Sequence, residues 1–153
     1  QLDGSWPTVK KTLMRSIQSV RVPLHELRGR VALAMVAEHG AVEFLKVAGQ
    51  SLKALKGERV LWGDAYAAQL EGSFLAWQGD RAGALSQMAS ADLLYQRSEM
   101  QGFLAAARRR HGELLGGAEG QQLIVAADAW FATQRVKNPA ALTRCFAPNL
   151  PAK

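Results

Sequence analysis

Residues 65–98 read AYAAQLEGSFLAWQGDRAGALSQMASADLLYQRS, and this stretch decides the fold. Ahead of Gly79-Asp80 the large apolar side chains return at Trp62, Tyr66, Leu70, Phe74 and Trp77; behind it they return at Leu85, Met88 and Tyr95, with Asp92 on the same stripe. Steps of three and four residues place side chains on one face of a helix, whereas a strand would alternate every second residue. Between the two runs, Gly79 suits the left-handed conformation that closes a helix, and Asp80 offers an oxygen to the free amides opening the next. The stretch therefore predicts helix, tight turn, helix: an antiparallel hairpin.

The same spacing extends in both directions. It recurs at Leu24, Leu27, Val31 and Met35, at Val42, Leu45, Gly49, Leu52 and Leu55, at Met100, Phe103, Ala107 and Leu114, and at Leu123, Ala127, Trp130 and Phe131. Val22-Pro23, His39-Gly40, Lys56-Gly57 and Gly116-Gly117 fall between the runs, where helix ends favour such residues. Ser98 with Gln101 has capping-box spacing, and Asn138-Pro139 sets a cap before a first-turn proline. Helices are predicted near 6–20, 24–38, 41–56, 60–78, 81–96, 99–115, 119–135 and 139–146. The fold class is all-α, with short connections making neighbouring helices antiparallel.

A weak internal repeat is in register with these hairpins. Gly29, Ala41, Leu45 and Ala48 are followed forty-three positions later by Gly72, Ala84, Met88 and Ala91. Such small residues let two helices approach closely. With Leu75 and Gly79 also in place, 65–98 resembles one tetratricopeptide repeat of thirty-four residues, although the signature Trp, Tyr and Pro are absent. A looser copy runs from about 105 to 139 with Gly112, Ala127, Phe131 and Pro139. The resemblance implies hairpins stacked as a right-handed solenoid: one domain over 1–148, repeats at about 22–55, 65–98 and 105–139, and a disordered tail over 149–153.

Composition sets the outer limits. With 153 residues, 48% of them hydrophobic and 21% charged, the chain is that of an ordinary globular domain able to bury a core without metal or disulfide. It has no apolar run long enough to span a bilayer. The single cysteine, Cys145, excludes an internal disulfide and makes a reducing cytoplasm the easier home, with the periplasm as the alternative. Gln1 in place of Met reads as the start of a fragment. The net charge of +6 raises acidic partners, nucleic acid among them, but only Arg108, Arg109 and Arg110 form a basic run.

No reaction chemistry assembles. His25-Glu26 opens like a zinc-protease helix, yet Gly29 stands where the second histidine is needed. His39 and His111 read as surface or capping residues. The glycine-rich 112–120 lacks the Lys-Ser/Thr of a nucleotide loop and reads as a helix end and turn. Cys145 has no identifiable base and reads as a half-buried packing residue. Trp62, Trp77 and Trp130 fall on apolar stripes and read as core, leaving Trp6 apart. The expectation is no catalytic residue, no metal and no cofactor.

A second resemblance rests on Tyr95 to Met100, the run AAARRRHGELLGG over 105–117, Glu119-Gly120, Ala126 to Trp130, and Asn138-Pro139 up to Ala147-Pro148. These resemble the C-terminal end of large bacterial serine/threonine kinases of the myxobacterial type, in which a kinase domain and an ATPase module precede a helical-repeat tail. The resemblance implies a non-catalytic regulatory or docking tail, and the kinase motifs themselves are absent from this sequence. Stacked as tetratricopeptide repeats, the first helix of each hairpin would line a concave face. The partner-contacting places would then be Glu26 and Arg30, then Tyr66, Gln69 and Ser73, then Arg109 and Glu113. Arg30 and Arg109 are favoured for gripping a partner carboxylate with an arginine fork. The expected partner is a protein or peptide, with a basic nucleic-acid-binding domain and a small-ligand sensor as alternatives. Residues 1–20, with Trp6, Leu13 and Ile17, could also mediate self-association.

Overall fold

The computed structural model describes residues 16–151, and every regular element among them is a helix. In chain order these are α1 (Gln18–His39), a short 3-10 turn (Val42–Phe44), α2 (Leu45–Lys56), α3 (Leu61–Trp77), α4 (Arg81–Arg97), α5 (Gln101–Leu115), α6 (Gly117–Thr133) and α7 (Pro139–Phe146). Each helix up to α6 packs on the next, most extensively within the pairs α1–α2, α3–α4 and α5–α6. In addition α1 touches α3, and α7 lies on α5. The all-helical hairpin reading is therefore what the chain adopts.

Local chemistry sets the boundaries. Gly40 and Gly79 take left-handed backbone (φ 65° and 83°) after α1 and α3. Asp80 accepts from the Gly83 amide at 2.9 Å and Asn138 from the Ala141 amide at 2.9 Å, so both expected N-caps form. Close approach accounts for three helix glycines. A Cβ on Gly29 would meet Leu70 Cδ2 at 2.5 Å, one on Gly72 would meet Met88 Cγ at 3.1 Å, and one on Gly112 would meet the Gly120 carbonyl oxygen at 2.4 Å.

Two boundaries differ from expectation. Val22-Pro23 does not separate helices, because α1 runs through Pro23. Only the turn before the proline loses a backbone bond, and that turn is held by tertiary contacts. Val22 is fully buried, and Arg21 pairs with Glu58 at 2.6 Å while Gln18 donates to the Glu58 carbonyl at 2.9 Å. The predicted helix over 6–20 lies outside the described residues except for its end, which belongs to α1. Ser98 is not an N-cap either. Glu99 takes left-handed backbone (φ 56°), so Ser98 remains in the closing turn of α4 and its hydroxyl donates to the Leu94 carbonyl at 2.8 Å.

The main core joins α1 to α5 through Val22, Leu33, Leu52, Leu55, Leu70 and Tyr95, with Leu104 at its far side. A smaller cluster of Ala105, Ala106, Phe131 and Ala147 ties the end of the chain to α5 and α6. No helix of the described residues is long and apolar enough to cross a membrane.

Candidate functional site

A helix ends with carbonyls that have no amide partner, and the last turn carries the negative end of the helix dipole. In α7 those orphan carbonyls are met by side chains from three other helices. Arg30 of α1 donates from Nη1 to the Cys145 carbonyl. Gln69 of α3 donates from Nε2 to the Phe146 carbonyl at 2.8 Å. Arg110 of α5 donates from Nε to the Ala147 carbonyl at 2.9 Å. Three donors from three helices thus read three successive carbonyls.

The segment that follows is held as well. Arg110 reaches Asn149 Oδ1 from Nη2 at 2.8 Å, and Asn149 Nδ2 donates to Glu38 at 3.3 Å. Asn149, which the sequence reading leaves in a disordered tail, is tied to α1 and α5; of that tail, residues 152–153 lie outside the described residues. Beside Asn149 and Leu150 lies an open pocket of about 740 Å³, lined also by Ala37, Trp77, Arg110 and Glu113.

Beneath the carbonyls the floor is aromatic and polar. Phe146 packs edge-on against Phe103 (centroids 4.7 Å), which stacks on Tyr95 at 5.6 Å and meets Tyr66 at 5.0 Å. Trp62 extends the row, 6.1 Å from Tyr66. Glu26 is buried and holds Arg30 Nε at 2.6 Å. Burial raises the Glu26 carboxyl above the usual range, with Arg30 pulling the other way. Tyr66 is pushed up to about 12 by burial and by the nearby Glu26, and fully buried Tyr95 is raised well above its ordinary value for the same two reasons. Burial also lowers the Arg110 pKa, opposed by Glu113. Gln69 Oε1 and Tyr95 Oη are buried without a hydrogen-bond partner among the described residues.

The expected contact residues divide. Glu26, Arg30, Tyr66 and Gln69 come together on the face shared by α1, α3 and α5, and Ser73 lies fully buried one turn beyond Gln69. Arg109 does not join them. It points to α6, bonded to Glu113 at 2.8 Å and 3.2 Å from Asp128, while Glu113 also binds Arg110. Arg110 is the arginine that reaches the carbonyls at the end of α7. The legible signal was the stripe Met100, Phe103, Ala107, whose next position after Phe103 by two turns is Arg110. Phe146, the last residue of a short helix, and Asn149, in the irregular chain beyond it, carried no such signal, because neither belongs to a long periodic stripe.

Two further expectations are corrected. His111 is not a surface or capping residue: largely buried, it meets Asp92 at 3.1 Å and links α5 to α4. Cys145 is exposed, its backbone rather than its thiol making the contact. Among the described residues no group of three or more His, Cys, Asp or Glu could hold a metal ion. Of the 112–120 glycines, Gly116 and Gly117 form the α5 end and turn as expected (φ 70° and 62°), whereas Gly112 and Gly120 lie inside α5 and α6 where the two helices meet. The chain matches no protein-family model, no curated protein and no solved structure.

Proposed function

We propose that the chain is a non-catalytic protein-interaction module of tetratricopeptide-like construction, working in the cytoplasm, whose α1–α3–α5 face docks a peptide. The observation that carries this reading is the set of donors from Arg30, Gln69 and Arg110 to the successive carbonyls of Cys145, Phe146 and Ala147. Donors that read backbone carbonyls bind peptide whatever its side chains, and an aromatic floor then adds preference for one large ring. A regulatory tail of a bacterial serine/threonine kinase or signalling ATPase is the parent that the C-terminal resemblance suggests.

The basic charge is less supportive of nucleic acid than its total implies. Arg21, Arg30, Lys56, Arg109 and Arg110 are each paired with a carboxylate. Peptides selected from a random display library on the full-length chain provide the test. Their binding should survive nuclease and weaken by about tenfold or more in Arg30→Ala/Arg110→Ala, since two charge-assisted bonds are lost. Equal binding by the variant, or salt-sensitive capture of duplex DNA alone, would overturn the reading.

A further inference from the structure

We propose that residues 145–149 are a resident competitor that keeps the peptide groove shut, and that the true partner is a peptide presenting an aromatic residue at a helix end followed by a short extended stretch. This rests on the reading of the α1–α3–α5 face as a peptide site.

The attachment is that of a detachable latch. Helix α7 is eight residues long, has only Thr143 buried within it, and makes its principal helix contact with α5; of the segment itself, Ala147 and Pro148 are buried and the other three residues are not. Residues 134–138 join it to α6, turning through Arg135 in left-handed backbone (φ 57°). A tether this short gives its own segment an effective concentration on the order of millimolar. Any partner must exceed that to enter.

The segment is also an incomplete ligand. With it seated, Gln69 Oε1, Tyr95 Oη and, in α7 two residues before the segment, Thr143 Oγ1 are buried without partners among the described residues. Unmade buried hydrogen bonds are costly, so a peptide that supplies them has an advantage the latch lacks. The fitting partner keeps the Phe146 ring on Phe103 and the three carbonyls. It adds a donor for Gln69 Oε1.

The probe is a labelled synthetic peptide of residues 142–151 carrying Cys145→Ser, titrated by fluorescence anisotropy into full-length chains. Phe146→Ala in the protein removes the ring that seats the latch; Asn149→Ala removes only the bonds to Arg110 and Glu38 and serves if the first variant loses helical content by circular dichroism. The open chains should bind the probe about tenfold (Phe146→Ala) and about threefold (Asn149→Ala) more tightly than wild type, because competition no longer reduces the competent fraction. The same peptide with Phe146→Ala should bind none of them. Equal affinity of wild type and both open chains, still lost on Arg30→Ala/Arg110→Ala, would overturn the latch and leave the groove standing. Probe binding indifferent to Arg30→Ala/Arg110→Ala, or no binding to the open chains, would overturn both.

Discussion

Glu26 and Glu58 are both carboxylates beside an arginine, yet their surroundings move them in opposite directions. Burial dominates at Glu26 and raises its pKa; the hydrogen bond from Arg21 dominates at Glu58 and lowers it. A raised acid contributes stability that is present below the ordinary value of 4.5 and is lost as pH rises through the folded value. A lowered acid contributes stability that is present above 4.5 and is lost as pH falls through the folded value. Thermal midpoints from about pH 3 to about pH 7 should therefore show wild type losing ground to Glu26→Gln as pH rises, and gaining ground on Glu58→Gln. Parallel curves for the three proteins would show that neither carboxyl is shifted by folding. The same residues show how far a sequence reveals a site. Glu26, Arg30, Tyr66 and Gln69 were legible because helical register places them on one face. Arg109 was mistaken for Arg110 because adjacent helix positions differ by a hundred degrees, and tripled arginine hides which of them the helix turns inward.

Helices were legible where a boundary residue acts locally, as Asp80 and Asn138 do by capping with their own side chains. They were misread where tertiary contact decides. Pro23 fails to end α1 because Arg21 and Val22 are anchored to the 58–63 region, and Ser98 fails to start α5 because Glu99 has already turned the chain. Packing between elements likewise decides what a helix glycine is for. At Gly49, within α2, a Cβ would sit 3.6 Å from the Phe74 ring, an ordinary contact. Gly49→Ala should stabilise the protein by up to about 1 kcal/mol through helix propensity. At Gly112 the added Cβ would meet backbone, the Gly120 carbonyl oxygen at 2.4 Å, and no rotamer can relieve it. Gly112→Ala should therefore cost about 2–3 kcal/mol as α5 and α6 are forced apart. Urea unfolding of both variants checks the pair; a Gly112→Ala chain as stable as wild type would show that the α5–α6 crossing is looser than the geometry requires, and a destabilised Gly49→Ala chain that Phe74 leaves no room for the added methyl.

At the scale of the whole molecule, stability follows from how many neighbours each helix has. Chains of stacked hairpins hold together by contacts between adjacent units, so their ends open at lower free energy than their middle. Helix α3 packs on α1, α2 and α4 and carries ten buried residues, whereas α7 rests mainly on α5 and buries one. Native-state hydrogen exchange should accordingly find the amides of α7 opening well before those of α3. Because Phe146 reaches α5 through Phe103 and the Phe146 carbonyl reaches α3 through Gln69, the two ends of the hierarchy are coupled at the α7 end. Phe146→Ala should then hasten exchange in α7 while leaving α3 at wild-type protection. Equal protection of α7 and α3 would mean that the last helix opens only with global unfolding. A segment that unfolds only with the rest cannot yield the groove to a partner, so the exchange order bears on the latch without requiring any ligand at all.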